Sequence, residues 1–398
     1  MKKIVILTQY FPPETGAPQS RLYETALGLK SRGWDVSIVA AMPNYPTGRV
    51  SREYRGKFSV NEFTDGMHIH RYALYASNSK NKLPRIASML SFSFSSLASL
   101  LKLHRLRPHY ILTESPPLTL GLTGLLLAKI CGARHILNVS DLWPLSAYKL
   151  GAVSHGFLYS RLKDIELFLY KRSYACTGQS QQIIDHVKKN GAHRTHLFRN
   201  GVDTKRFKPT DAAIANSTST KIVYTGLLGV AQGVLNICRN INFKNLGVSF
   251  HIYGDGAEKN DIVAYLLANP DKGIYYHNAV HRDEIPAVLA QYDAMLVPLI
   301  KPIYGAIPSK MYEAMAAGLP VIFAGGGEGA QLVNKYNIGW TCKPANYKMM
   351  EEKILQLSQL PAGELQAIKQ NCRTAAHTTF DREIQIEQLH QFLSGASA

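Results

Sequence analysis

At 398 residues the chain is too long for one ordinary hydrophobic core, and its 46% hydrophobic and 18% charged residues fit a folded enzyme rather than an extended disordered chain. The net charge of +17 is held almost entirely by one half: residues 1–198 contain 26 Lys and Arg against 11 Asp and Glu, a balance of +15, while residues 199–398 contain 19 against 17, a balance of +2. Such a basic half is expected to face a membrane surface, a phosphate-bearing acceptor or nucleic acid, with solubility as the plainer reading. Cys131, Cys176, Cys238, Cys342 and Cys372 lie far apart, without metal-ligand spacing and in an odd number, which points to a reducing cytosol.

In chain order, short β-branched runs alternate with helical patterns, which predicts parallel sheets joined by crossover helices. The basic start Met1-Lys2-Lys3 leads into an apolar run, Ile4 to Leu7, too short for a signal peptide and followed by Pro12-Pro13, so it reads as a first strand. The first half holds candidate strands Lys3–Thr8, Asp35–Ala40, His68–Tyr72, Tyr110–Glu114, His135–Val139, Tyr174–Thr177 and His196–Arg199. Gly33 suits the end of a helix over Gln19–Ser31, and Gly132 the end of another. No run reaches the roughly 18 consecutive apolar residues of a membrane span. The nearest, Leu118–Ile130, is interrupted by Thr119, Thr123 and Lys129 and reads as a buried helix. Ser79 to Arg107 mixes Lys80, Lys82, Arg85, Lys102, His104, Arg105 and Arg107 with Met89, Leu90, Phe92, Phe94, Leu97, Leu100 and Leu101. It reads either as a membrane-interface segment or as a crossover helix with a solvated basic end.

The polar segment Asp211–Thr220 reads as a loop near the domain junction, and a second set of strands follows: Lys221–Thr225, Val248–Tyr253, Ile274–His277, Ala294–Pro298 and Pro320–Phe323. The expected organisation is an N-terminal domain over 1–199, a junction over 200–220, a second domain over 221–378 and a C-terminal helix over 379–394 that packs back on the first domain. The helix pattern over Arg382–Phe392 carries Ile384, Ile386, Leu389 and Phe392.

Three features of the second domain carry chemistry. Tyr224-Thr225-Gly226-Leu227-Leu228-Gly229 ends a strand with glycines that let backbone amides approach a phosphate. Tyr253-Gly254-Asp255-Gly256 repeats the pattern at another strand end, where ligands collect in open parallel sheets. Pro308 to Gly318 then follows a loop, Leu299–Ala306. Ser309 is the expected N-cap of its helix, so the positive helix end and Lys310 would both face a diphosphate. Lysine opposes the dipole at this end, so an anionic ligand accounts for it better than helix stability does. Glu313, one turn on, could accept two hydrogen bonds from a ribose diol.

The run Glu313-Ala314-Met315-Ala316-Ala317-Gly318, followed by Gly325-Gly326-Gly327-Glu328, resembles the donor-binding end of the retaining glycosyltransferases of sequence family 4. The segment from Pro12 to Val36, the junction Arg199-Asn200-Gly201-Val202-Asp203 with Phe207 and Pro209, and the Gly254-Asp255-Gly256 turn agree, so the similarity covers nearly the whole chain. Together with Ser140-Asp141-Leu142-Trp143-Pro144, the pattern is similar to the branch building O-antigen, capsule or colanic-acid-like polysaccharides, including fucosamine and N-acetylhexosamine transferases. The resemblance implies a GT-B fold, two Rossmann-like doubly wound α/β domains facing a cleft, with the nucleotide sugar on the C-terminal domain.

Carried over by position, Glu313 would bind the ribose, the amides of Ala314 and Met315 the phosphates, and backbone near Ala279 and Val280 the base. Gly16 would approach the phosphates from the first domain, and Asp141 would be an acceptor-side catalytic residue. Gly226, Gly229, Gln232 and Gly254 complete the expected donor site. Where many members carry a second glutamate eight residues before the ribose ligand, this chain has Gly305. Leu227 and Gln232-Gly233 stand where members carry arginine and lysine, which leaves Lys310 as the expected source of diphosphate charge and a catalytic residue.

The implied reaction retains anomeric configuration, needs neither metal nor cofactor, and uses a donor expected to be UDP-linked. The expected acceptor is an undecaprenyl-diphosphate-linked glycan, with the enzyme peripheral at the inner face of the cytoplasmic membrane and no nucleic-acid partner. Three alternatives are a nucleotide-sugar 2-epimerase of the same fold, a nicotinamide-dependent oxidoreductase, disfavoured because the first strand leads into Pro12–Ser20 rather than GxGxxG, and a non-enzymatic lipid or nucleic-acid binder.

Overall fold

A computed structural model of the chain describes residues 1–14, 16–45, 47–79, 82–149, 154–207, 219–302, 304–305 and 307–395. Pro209, Lys80, Ala306 and most of the polar segment predicted over 211–220 lie outside these residues. The chain divides into two compact units, one formed by Met1–Arg199 with Ile386–Ala398, the other by Asn200–Gln385.

The first unit is built on eight strands: β1 (Lys3–Thr8), β2 (Asp35–Ala41), β3 (Ser59–Thr64), β4 (Met67–Tyr72), β5 (Tyr110–Ser115), β6 (Arg134–Val139), β7 (Ala175–Gly178) and β8 (Thr195–Leu197). Their order is β3-β4-β2-β1-β5-β6-β7-β8, parallel throughout except for the β3–β4 pair. Alternation along each strand sends successive side chains to opposite layers. Ile4 and Ile6 pack with Leu22, Ala26 and Leu29 of the helix Ala17–Ser31, while Val5 and Leu7 pack with Phe92, Leu103, Leu120 and Leu127. Leu389 and Leu393, late in the C-terminal helix Arg382–Ser394, close the first of these layers, and Trp34 Nε1 donates to His390 Nδ1 at 2.8 Å.

β3 carries no apolar alternation because its residues are mostly exposed, so period-2 reading passes over it. The turn joining it to β4 is nevertheless legible: Asp65 (φ 51°) and Gly66 (φ 70°) form the two-residue link that an Asp-Gly pair favours in a hairpin.

Two expectations about helices change. Leu118–Cys131 is buried along one side only, with Leu126 and Ile130 at 45% and 46% exposure on the other. The region following Ser79 forms the helix Lys82–Ser95, a 3-10 turn over Ser96–Ser99 and the helix Leu100–Leu106. Within it, Ile86–Leu106 is long and apolar enough to cross a membrane, although only about a third of it is buried. Serines interrupt its apolar run, so a count of consecutive apolar residues does not register it.

The second unit holds β9 (Thr220–Leu227), β10 (Val248–Asp255), β11 (Ile274–His277), β12 (Ala294–Pro298), β13 (Val321–Ala324) and β14 (Gly339–Cys342), all parallel, in the order β11-β10-β9-β12-β13-β14. β14 is the strand that the sequence pattern does not pick out; three of its four residues are only partly buried. Strand order reverses between β9 and β12. In an open parallel sheet that reversal opens a crevice at the carboxyl ends of the two strands, where a ligand can enter. Here the crevice is flanked by the Gly226 turn and by the segment leading into the helix Ser309–Ala317.

Candidate donor-nucleotide site

Gly226 (φ 131°) and Lys310 meet at this reversal. A Cβ on Gly226 would stand 1.8 Å from the Lys310 ammonium, so the lysine occupies the space that the missing side chain leaves. The same ammonium lies 5.9 Å from the centroid of the Tyr224 ring, whose hydroxyl donates to the Leu227 carbonyl at 2.5 Å. Burial holds the Lys310 pKa below the ordinary lysine value, with the Glu313 carboxylate pulling in the opposite direction. Among the described residues Lys310 has no ion-pair partner, so an incoming anion would relieve its desolvation.

The helix ends differ from expectation. Pro308, in extended geometry, is the N-cap, and Ser309 is the first helical residue, with no side chain capping the turn. Proline fixes its own φ near the observed −59° and leaves Ser309 to contribute an amide rather than a capping oxygen. The proposed contact of Ala314 and Met315 amides with phosphate is not supported by the geometry. Both lie in the second turn of the helix, where amides bond to carbonyls four residues back, and both are fully buried in the core. The amides at this helix end belong instead to Ser309 and Lys310. Glu313 is half-buried and accepts no hydrogen bond among the described residues.

The remaining glycines divide by role. A Cβ on Gly254 would meet the Gly226 carbonyl at 2.0 Å, and one on Gly256 (φ 151°) the Leu228 carbonyl at 2.5 Å. These two therefore let the end of β10 lie against the β9 turn, with Leu228 N donating to Asp255 O at 2.8 Å. Gly229 accepts from the Gln232 amide at 3.0 Å, and Gln232 Oε1 is buried without a partner among the described residues. Ile300 N donates to Ala231 O at 3.0 Å, tying the loop after β12 to the loop after β9. Gly305 is buried in a left-handed conformation (φ 81°) four residues before Ser309. Ala279 and Val280 follow β11, and Val280 packs against the core cluster that includes Met311, Tyr312, Ala314 and Met315 of the helix Ser309–Ala317.

Gly16 and Asp141 belong to the first unit. Gly16 is the N-cap of Ala17–Ser31, and a Cβ there would stand 2.4 Å from Gln19 Oε1. Asp141 follows β6 and accepts from Ser146 Oγ at 2.7 Å; burial pushes its carboxyl pKa upward. Beside it lies a buried polar group that sequence reading missed. Arg21 pairs with Glu114 and donates to Ser140 Oγ at 2.8 Å and to Gln179 Oε1 at 3.2 Å, while Asn138 Nδ2 donates to Glu114 Oε2 at 2.6 Å. Its signal was available: Glu114 and Asn138 are polar residues near the carboxyl ends of two predicted parallel strands, where ligands collect.

Family models match both parts of the chain: a "Glycosyl transferase 4-like domain" over residues 16–201 and "Glycosyl transferases group 1" over residues 219–359. The Pseudomonas aeruginosa protein WbjE, named as a probable glycosyltransferase, is 24% identical over 296 residues, 71% of this chain and 73% of its own. WcaI of Escherichia coli K12, whose name assigns it as a glycosyl transferase to colanic acid biosynthesis, is 24% identical over 340 residues, 80% of this chain and 82% of its own. Among solved structures, Anabaena HepE in complex with UDP and glucose matches with a TM-score of 0.70 at 16% identity, covering 99% of this chain and 100% of that one. Sucrose-phosphate synthase from Thermosynechococcus elongatus matches with a TM-score of 0.77, also at 16% identity, over the full length of both chains. The chain is a glycosyltransferase of GT-B fold, built from a glycosyl transferase 4-like domain and a group 1 glycosyl transferase domain.

Proposed function

We propose that the chain transfers an N-acetylated or 6-deoxy-N-acetylated hexosamine, with retention of configuration, from a UDP-linked donor to an undecaprenyl-diphosphate-linked glycan. The reaction serves surface-polysaccharide synthesis at the inner face of the cytoplasmic membrane. The observation that carries the donor part of this reading is the Lys310 ammonium seated over Gly226, in the first turn of an uncapped helix with Glu313 one turn further on.

In this scheme the helix end and Lys310 hold the diphosphate and Glu313 holds the ribose. As the bond from the anomeric carbon to the phosphate oxygen breaks, negative charge grows on the leaving diphosphate, and Lys310 with the first-turn amides stabilises it. The acceptor hydroxyl attacks from the same face and passes its proton to the leaving phosphate, so these groups suffice without a metal. Asp141 orients the acceptor from the first domain. The relatives' names support the polysaccharide pathway, and the UDP in the HepE complex supports the nucleotide.

The test is transfer by the full chain from a panel of UDP- and GDP-sugars to a polyprenyl-diphosphate-linked acceptor, with and without EDTA, and NMR of the product anomer. The reading expects one UDP-N-acetylhexosamine to dominate, EDTA to leave the rate intact, and the donor configuration to persist. An inverted product or strict dependence on added metal overturns the mechanism. Epimerisation of donor alone, with no transfer, overturns the activity.

A further inference from the structure

Along the helical stretch from Lys82 to Leu106 the usual amphipathic pattern is reversed over part of its surface. Ser88, Ser93, Ser96 and Ser99 face inward and are buried, whereas Ile86, Leu90, Phe94 and Leu101 face outward, Phe94 at 67% and Leu101 at 75% exposure. The outward residues recur at spacings of four, four and seven, which keeps them on one side of the helical stretch. The serines are satisfied inside: Ser93 Oγ donates to Met89 O at 2.9 Å, Ser96 Oγ to Ser93 O at 3.1 Å and Ser99 Oγ to Ser96 O at 2.6 Å. Thr123 Oγ1, on the neighbouring helix, donates to Ser93 O at 2.9 Å. A helix whose outer side meets only water places its serines outward and its leucine and phenylalanine inward. This stretch buries four serines and exposes Phe94 and Leu101, while Phe92 and Leu103 still face the core.

The apolar surface continues across that layer of the sheet. Leu126 and Ile130 are half-exposed on Leu118–Cys131, and Phe157 (78%) and Leu158 (53%) begin the helix Phe157–Arg172, which packs on it through Leu169 beside Gly121. Charge identifies the surface that covers it. No acidic residue occurs between Asp65 and Glu114, while Lys80, Lys82, Arg85, Lys102, Arg105 and Arg107 do; Arg71, in the same span, is buried and paired with Glu62. His104, Arg105 and Arg107 are exposed at the end of the stretch; Arg161, 5.1 Å from the centroid of the Phe157 ring, is paired with Asp164 at 3.3 Å and adds no net charge. On the stretch Lys82–Leu106 exposed apolar side chains are bordered by cations with no acidic residue in the stretch itself, which matches an anionic lipid interface, with rings and aliphatic chains in the acyl boundary and cations at the headgroups.

We infer that this helical layer of the first unit, centred on Phe94 and Leu101, is a docking surface for an anionic bilayer. The stretch lies on the bilayer rather than crossing it, because Phe92 and Leu103 are locked into the core of the unit. The inference deepens the lipid-linked acceptor proposed above, but it rests on different residues from the donor site.

Flotation of the full chain with vesicles of phosphatidylcholine alone, or with one third phosphatidylglycerol, tests it. The wild type is expected to float with the anionic vesicles and to stay behind with the neutral ones. Phe94→Asp combined with Leu101→Asp should abolish flotation, and Arg105→Gln should weaken it about fivefold. Both variants should keep the wild-type unfolding temperature and affinity for UDP, which separates failure at this surface from failure of the donor-site reading. Equal flotation of the wild type and the double Asp variant overturns the inference. So does absence of flotation together with a concentration-dependent dimer that the double Asp variant disrupts, since a second copy would then cover the surface.

Discussion

Gly226 and Lys310 form one device, because the glycine's missing side chain is the space in which the ammonium sits. Gly226→Ala would introduce a Cβ at φ 131° and push the lysine away, adding backbone strain to a steric clash. The expected cost is about 1–3 kcal/mol. In a Lys310→Ala background the clash disappears and only the strain remains, so the same substitution should cost less. Thermal or urea unfolding of the two single variants and the double variant checks this. Strict additivity would show that the two residues do not meet. The placement of Lys310 and Glu313 one turn apart in a helix that follows a strand end was legible from residue type and spacing. That Ser309 is not a cap and that Ala314 and Met315 are core was not, because a boundary shift of one residue changes which amides are free at a helix end.

Elements set which glycines serve the ligand and which serve packing. Gly254 reads in sequence like Gly226, yet its α-carbon faces the backbone of the β9 turn, a contact that only strand pairing reveals. The strands followed from apolar runs nearly residue for residue; β3 and β14 did not, because an edge strand that is only partly covered carries little apolar signal. Strands of the first sheet also bury titratable groups. His135 on β6 is 3% exposed between Ser173 Oγ (3.0 Å) and Thr113 Oγ1 (3.1 Å), and burial pushes its pKa down to about 3; burial also pushes that of His196 down to about 4. Below the ordinary histidine value the unfolded chain binds these protons and the folded chain does not. Stability present above about pH 6.5 is therefore lost as pH falls toward the folded values, by up to about 1.4 kcal/mol per pH unit for each such histidine. Unfolding temperatures should drop between pH 6.5 and 4.5, with a shallower slope in a folded His135→Gln variant. A flat profile over that range would contradict the assignment.

For the whole molecule, the sequence separated a strongly basic first half from a nearly neutral second half, and each half forms its own parallel-dominated sheet. The strand-order reversal between β9 and β12 explains why the chemistry-bearing segments of the second unit, far apart in sequence, end at one crevice. Neither strand order nor the reversed serine face of Lys82–Leu106 can be read from apolar counts, since both depend on which neighbours each segment meets. In the function proposed above, this crevice recognises the diphosphate of a donor nucleotide through Lys310. Calorimetric titration of UDP and of uridine into the wild type and Lys310→Ala tests it most directly. The wild type should bind UDP far more tightly than uridine, and Lys310→Ala should lose about 1.5–3 kcal/mol of UDP binding while leaving uridine unchanged. An unaltered preference for UDP over uridine in Lys310→Ala would contradict the account.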